Sequence, residues 1–335
     1  MRQVLILSLG LAGSLALAWS VYTQEDVERE ETDVAMYADP GDSLTRIAWD
    51  DDNGLIRIEE RTDAKGSYLW VDITEQVPVA DAGADLDGDS DTGVPEVEYE
   101  TVQRAFRANA EAASVWAQYA PLYAIRDLTE GGMMEAYGLD DPEATLSVTT
   151  RDGELTFNVG TETYGARDRY VGDGERIFLV DDAVLRPIMF AKTRLVERGL
   201  IPYAQPDIAA IAVSANGQSV VWTQQNRDDR GAHYWAPEGA EDDANDAVKS
   251  WMRKLLSVRS QSYLTEADLD IELESVLTYT ARGDDDAFAV EVLREVTEDD
   301  NPRWFAKSEH ARSLVELTRS LATDAFMDVA VVLEP

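Results

Sequence analysis

The sequence contains no cysteine, only five lysines and only two histidines among 335 residues. Without cysteine there can be no disulfide, no thiolate metal site, no cysteine nucleophile and no lipid anchor at a lipobox cysteine. A histidine metal site would need both His233, in a strand-like run, and His310, at a predicted helix start. No phosphate-binding loop, nucleophile elbow or His-Glu-x-x-His motif occurs. We therefore predict that the protein is not an enzyme.

Negative charge dominates the chain. The 66 acidic residues outnumber 29 basic ones, which gives a formal net charge of −37. Such a field repels nucleic acid and anionic lipid surfaces, and it favours cations or basic partners. We predict no nucleic-acid partner. The dense carboxylates are either a salt-adapted surface or a requirement of the function.

The N-terminus has the order of a membrane-targeting segment. Arg2 is followed by a long uncharged apolar run and then at once by acidic residues. That order places the basic end in the cytoplasm and the acidic body across the membrane. The run is long enough to span a bilayer once, although Ala16-Leu17-Ala18 is also typical of a cleavage site. We predict a signal anchor or signal peptide over 1–23 and an acidic tether over 24–43. The body would then lie on the periplasmic or extracellular side of the inner membrane.

After the tether, one pattern occurs twice. Residues around Asn53-Gly54 alternate between apolar and polar and lead to Trp70. Residues around Asn216-Gly217 do the same and lead to Trp235. The alternation predicts strands, and Asn-Gly predicts hairpin turns.

Each half continues with an acidic stretch, an amphipathic helix and strand pairs. The first helix is predicted over 100–120, with one apolar stripe formed by Val102, Phe106, Ala113 and Trp116. The stripe of its counterpart consists of Val248, Trp251, Leu255 and Val258. A strand with an arginine next to an aromatic residue follows in each half, at Arg169 and Arg303.

Duplication is the simplest account of this shared order. We predict an α+β fold of two tandem modules, each with antiparallel strands packed on one main helix. The first module covers residues 44–203, with an acidic loop inserted at 79–98, and the second covers residues 204–335.

Residues 137–180 carry a recognisable set of motifs: Tyr137-Gly138-Leu139 with Pro142, Gly160 before a hairpin, Tyr170-Val171, and the run from Ile177 to Val180. On these motifs the chain resembles the domain-of-unknown-function family 4340 over residues 40–330, less closely in the second half. The resemblance implies an envelope protein with one N-terminal anchor, often encoded beside gliding-motility-type ABC transporter components. It implies no catalytic residues.

The acidic loop has carboxylates at alternate positions, which is the pattern of a calcium-binding loop. Two registers fit the loop, and the glycine needed at its sixth position is Ser90 in one and Thr92 in the other. Pro78 and a strand also precede the loop where a helix is expected. A solvated acidic loop is therefore the alternative. The candidate calcium ligands are Asp85, Asp87, Asp89, Asp91 and Glu96.

Together these features predict a non-enzymatic, membrane-anchored envelope scaffold or accessory protein that associates with ABC-type transporter subunits and needs no cofactor. Its mechanism would be geometric, because the modules would offer sheet edges or helix faces to partners. The first alternative is a calcium-binding acidic surface module. The second is a solute-binding receptor, which requires a cleft between the modules.

Overall fold

The computed structural model describes residues 34–37, 43–79, 99–165, 167–229, 231–264 and 269–334. Within them the chain is mostly β-sheet, in three antiparallel sheets, with short helices that give an α+β architecture. The strands are β1 (Val34–Ala35), β2 (Leu44–Asp51), β3 (Gly54–Asp63), β4 (Gly66–Pro78), β5 (Tyr99–Arg107), β6 (Tyr123–Ala124), β7 (Arg126–Asp127), β8 (Ala144–Thr150), β9 (Gly153–Glu162), β10 (Asp168–Gly172), β11 (Ile177–Asp181), β12 (Ala210–Ala215), β13 (Gln218–Gln225), β14 (Tyr234–Pro237), β15 (Ser260–Leu264), β16 (Leu273–Arg282), β17 (Ala287–Glu295), β18 (Trp304–Ser308) and β19 (Ser313–Leu317). The α-helices are α1 (Ala110–Gln118), α2 (Asp182–Met189), α3 (Ala191–Arg194), α4 (Asp246–Ser257) and α5 (Arg319–Phe326).

Two of the sheets are large. The first has the strand order β5-β4-β3-β2-β8-β9-β10-β11-β7, and the second has the order β14-β13-β12-β16-β17-β18-β19-β15. Strand β1 pairs with β6 in a small third sheet. When β5 is set aside, the two large sheets have the same order. In each, a three-stranded meander joins a run of four antiparallel strands, and the last edge strand precedes that run in sequence.

Two-residue turns close the first hairpin of each large sheet. In the second sheet the loop is Asn216-Gly217, whose φ angles of 52° and 76° are those of a type I′ turn. In the first sheet the loop is Asp52-Asn53, one residue earlier than predicted, since Asp51 pairs with Gly54. The Asp51 carboxylate accepts hydrogen bonds from the N–H groups of Asn53 and Gly54, and these bonds hold the turn in that register.

The helix predicted over 100–120 is partly wrong. Residues Tyr99–Arg107 form β5, which pairs with β4 along its whole length, and α1 begins only at Ala110. Asn109 sets the boundary, because its side-chain oxygen accepts hydrogen bonds from the N–H groups of Glu111 and Ala112. Pairing with a long neighbouring strand therefore overrides the helical spacing of the first half of this segment.

Each large sheet packs its helices over a separate hydrophobic core. Apolar residues of α1, α2 and α3 pack with the first sheet, and those of α4 and α5 pack with the second. The stripe predicted for α4 is confirmed for Val248, Trp251 and Leu255, which are buried on the helix, whereas Val258 is buried just beyond its last residue in an extended conformation. Burial of one face of each sheet by helices accounts for the alternation that the sequence displays.

A buried arginine organises one part of the first sheet. Arg169 in β10 donates hydrogen bonds to three carboxylates: from Nε to Asp182 Oδ1 (2.8 Å), from Nη1 to Glu143 Oε2 (2.7 Å) and from Nη2 to Glu162 Oε1 (2.5 Å). Burial opposes the charge of Arg169, but its hydrogen bonds with Asp182 and Glu143 outweigh burial and raise its pKa. This network ties β10 to the first turn of α2.

The predicted signal anchor or signal peptide lies within residues 1–33, outside the described residues. Among the helices that the structure describes, none is both long and apolar enough to span a bilayer.

Candidate functional site

The predicted calcium ligands fall in residues 80–98, outside the part of the chain that the structure describes. Elsewhere, within the described ranges, no group of three or more His, Asp or Glu side chains is arranged to hold a metal ion. The calcium site therefore remains a prediction for the residues Asp85, Asp87, Asp89, Asp91 and Glu96.

The two histidines contact different partners. His233 Nε2 lies 3.0 Å from Gln205 Nε2, in the segment that leads into β14. His310 lies in the turn between β18 and β19, and no helix begins there, contrary to the sequence prediction. The next helix starts at Arg319, after β19 has returned across the sheet. His310 is instead part of the junction between the two large sheets, where it contacts Glu197 and Arg107.

The segment that connects the two sheets is hydrogen-bonded to both of them. On one side, Glu197 N–H donates to Arg107 O (2.9 Å), and Asn109 N–H donates to Leu195 O (2.8 Å). On the other side, Ser260 N–H donates to Arg198 O (2.9 Å). The connection is thus a paired strand-like segment that fixes β5 of the first sheet beside β15 of the second.

Aromatic side chains fill the space between those two strands. The ring centroid of Tyr263 in β15 lies 6.4 Å from that of Trp70 and 6.1 Å from that of Phe106. Tyr263 Oη donates to the backbone oxygen of Glu197 (2.9 Å). Burial raises the pKa of Tyr263. The Tyr263 ring therefore provides an apolar contact at the junction, while its hydroxyl group is hydrogen-bonded.

Charged side chains form a second set of contacts at the tip of the β3–β4 hairpin. Arg312 Nε donates to Asp63 Oδ2 (2.8 Å), and this hydrogen bond lowers the pKa of Asp63. Lys65 Nζ lies 3.1 Å from Glu309 Oε2 and donates to Ala287 O (2.7 Å). Backbone hydrogen bonds, ring contacts and ion pairs together hold the two sheets in one arrangement.

A histidine, a carboxylate and an arginine meet at the centre of the junction. His310 is 4% exposed, and its Nε2 lies 3.4 Å from Glu197 Oε2. Its ring packs edge-on against Phe288, with the centroids 5.9 Å apart. Arg107 Nη1 donates to His310 O (2.7 Å). His310 Nδ1 is buried and makes no hydrogen bond within the described structure.

Burial acts on the pKa of all three ionisable side chains in this cluster. It lowers the pKa of His310 and outweighs the hydrogen bond with Glu197, which acts in the opposite direction. Burial also opposes ionisation of Glu197, but hydrogen bonds with His310 and with the Gly199 N–H outweigh it and lower the pKa of Glu197. Burial lowers the pKa of Arg107, and the neighbouring charge of Arg312 lowers it further. At neutral pH the cluster contains a neutral imidazole, a carboxylate and a guanidinium.

A cleft of about 690 Å³ opens beside the cluster. Arg107 lines it, and the guanidinium carbon lies 5.5 Å from the ring centroid of Tyr68. Trp116 also lines the cleft and is half-buried, whereas its counterpart Trp251 is in the core. The remaining apolar lining includes Leu69, Ile201 and Tyr203. The carboxylates of Glu60 and Glu197 line it as well, so the cleft places the Arg107 guanidinium and two acidic side chains within a wall that is otherwise largely apolar and aromatic.

One family of known proteins matches this chain. The family model described as Domain of unknown function (DUF4340) matches residues 107–274, half of the chain. The chain belongs to the DUF4340 family. In this DUF4340 protein the matched region begins at Arg107 and contains Glu197 and Tyr263, whereas His310 lies outside it. No curated protein and no solved structure shows a significant match.

The sequence gives little sign of the junction. Arg107 and His310 are 203 positions apart, and Arg107 lies in the segment wrongly predicted as helix. Glu197 is one of 66 acidic residues and has no local motif around it. The scarcity of histidine draws attention to His310 but does not indicate its partner.

Proposed function

We propose that this protein is a non-enzymatic scaffold of the cell envelope that docks onto subunits of an ABC-type transporter. In this proposal residues 1–23 hold it at the inner membrane, and the body lies on the periplasmic or extracellular side. Two tandem α+β modules, 44–203 and 204–335, form that body. The observation that carries the proposal is the open edge of the first sheet, presented by a pair of sheets whose arrangement is fixed.

The shared strand order of the two large sheets supports descent of the modules from one duplicated unit. The correspondence extends beyond the sheets, since α1 and α4 each follow the meander and α2 and α5 each follow the last strand of the four-stranded run. Trp70 and Trp235 also occupy equivalent strands and are both buried. A duplicated, rigidly joined body is suited to holding a partner at a set distance from an anchor.

Strand β5 is the best docking surface that the described residues offer. It pairs with β4 on one side only, and no other strand in the described part of the chain pairs with its outer side between Tyr99 and Phe106. Tyr99 is 58% exposed at its start. Unpaired N–H and C=O groups along such an edge bind extended peptide segments by strand addition. The net charge of −37 favours a basic segment.

The choice of a transporter as partner rests on the family resemblance set out under the sequence analysis. We therefore expect the occupant of the β5 edge to be an extended, basic segment of the transporter permease on the extracytoplasmic side. Protease accessibility of the body in intact spheroplasts tests the location separately.

Site-specific photo-crosslinking in cells tests the docking surface. A photoreactive residue at Gln103, exposed on β5, should crosslink to a transporter permease identified by mass spectrometry. The matched control is the same residue at Ser275, which is exposed on the central strand β16 of the second sheet and should not crosslink. Absence of the permease from the Gln103 adducts and from detergent-extracted complexes would refute the proposal.

A further inference from the structure

The junction cleft contains an arginine whose charge is incompletely compensated. The guanidinium has five N–H donors; Arg107 Nη1 donates to His310 O, and the structure shows no carboxylate of the described residues paired with it. Of the acids that act electrostatically on Arg107, Asp63 is paired with Arg312, and the oxygens of Glu197 are engaged by His310 Nε2 (3.4 Å) and by the Gly199 N–H (2.6 Å). In the same protein Arg169 pairs with three carboxylates and Arg312 with one. Arg107 is therefore placed to receive an anion from outside.

The walls of the cleft define the rest of the ligand. Tyr68, Leu69, Trp116, Ile201 and Tyr203 are all partly exposed and line one continuous space. Two carboxylates, Glu60 and Glu197, line the same space, so a bound anion has to lie on the Arg107 side of the cleft. Its volume of about 690 Å³ is within the range of small-molecule sites. Aromatic side chains of this kind pack against apolar or aromatic groups. The body of the ligand should accordingly be apolar.

The net charge of the protein limits which anionic group the cleft can accept. A net charge of −37 disfavours multiply charged ligands such as phosphates, because the long-range potential acts on their whole charge. A ligand with a single carboxylate carries only one negative charge, so this potential repels it least. The two carboxylate oxygens also match the forked geometry of a guanidinium.

We propose that the junction cleft binds a small amphipathic carboxylate, an organic acid with an apolar or aromatic body, through a charge-assisted hydrogen bond to Arg107. The apolar body lies against Tyr68 and Trp116. This site is separate from the β5 edge, and the proposal does not depend on the scaffold role.

Calorimetry on the full chain tests the proposal with a matched pair of probes, 3-phenylpropanoate and the uncharged 3-phenylpropanamide. The acid should bind saturably and at least tenfold more tightly than the amide, because only the acid pairs with Arg107. The Arg107→Gln variant should bind the two probes alike. Arg104→Gln is the control, since Arg104 lies on the same strand but is exposed and pairs with Glu75; it should keep the preference for the acid.

Three results would overturn the role of Arg107: no saturable binding of the acid, equal affinity for acid and amide in the unaltered protein, or a preference for the acid that survives in Arg107→Gln. The first two need no variant, so they decide the matter even if Arg107→Gln misfolds. Circular dichroism shows whether Arg107→Gln is misfolded. Trp116→Ala should weaken both probes to a similar degree, and an unchanged affinity for both would place the ligand body elsewhere and contradict the assignment.

Discussion

Replacing Arg169 by methionine would remove the guanidinium that three carboxylates share in the first sheet. The side chains of Glu143 and Glu162 are 52% and 40% exposed, so water can solvate them when the arginine is gone. The side chain of Asp182 is only 3% exposed. The cost of the substitution therefore comes mainly from this one buried carboxylate.

Breaking a buried ion pair from one side costs about 3–5 kcal/mol. Asp182 keeps a second hydrogen bond, from Arg186 Nε on the same helix, so we expect a loss near the lower end, about 3 kcal/mol. Arg303→Met in the second half is the matched control. Its pair with Glu295 is closer to solvent, with side chains 36% and 19% exposed, and such pairs are worth about 0.2–1 kcal/mol.

Urea denaturation at neutral pH measures the free energy of unfolding of each variant. Adding Asp182→Ala to Arg169→Met should recover part of the loss, because the stranded carboxylate disappears. Equal costs for Arg169→Met and Arg303→Met would refute the reasoning. A double variant no more stable than Arg169→Met alone would refute it as well.

Three further predictions concern the junction and the acidic loop. Burial lowers the pKa of His310 below the ordinary histidine pKa of 6.5. At a pH just below 6.5 the folded state therefore binds fewer protons than the unfolded chain, and stability is lost as the pH falls from there towards the lowered pKa. His310→Gln should flatten that part of the dependence of the urea midpoint on pH, and an unchanged slope would contradict the burial argument. Tyr263→Ala should cost about 3–5 kcal/mol in unfolding free energy by analogy with other large-to-small changes, whereas Tyr263→Phe should cost about 1 kcal/mol; equal losses would show that the ring is not the main contact. Calcium titrated calorimetrically into the full chain should bind saturably at millimolar concentration and less tightly after Asp87→Asn and Asp89→Asn, and the absence of saturable heat would remove the predicted calcium site.

Local features were predictable where local chemistry decides the structure. The Asn216-Gly217 turn is a two-residue loop as predicted, because both residues tolerate positive φ. The stripe that contains Trp251 is buried along a real helix, α4. By contrast, β5 has a helical spacing of apolar residues and becomes a strand through pairing with β4. That partner is the preceding strand, but residues 79–98 separate the two in sequence, so no short window of sequence contains this information.

The candidate site was not predictable for the same reason on a larger scale. Its three polar members, Arg107, Glu197 and His310, come from the end of a strand, a connecting segment and a turn. Each is an ordinary residue in its own neighbourhood. Only the meeting of β5 with the turn between β18 and β19 buries part of Arg107 and brings its guanidinium to His310 O, with no ion pair to a carboxylate among the described residues.

Strand β5 also sets a limit on assembly. The first sheet has it and the second does not, and the contacts of Phe106 and Arg107 with the second sheet come from its last two residues. In the part of the chain that the structure describes, the second sheet ends at β14 on the corresponding edge, and no further strand lies beyond it. A head-to-tail row of molecules built on this contact would need a second copy of the β5 face, and the described residues contain only the one that is already occupied within the molecule.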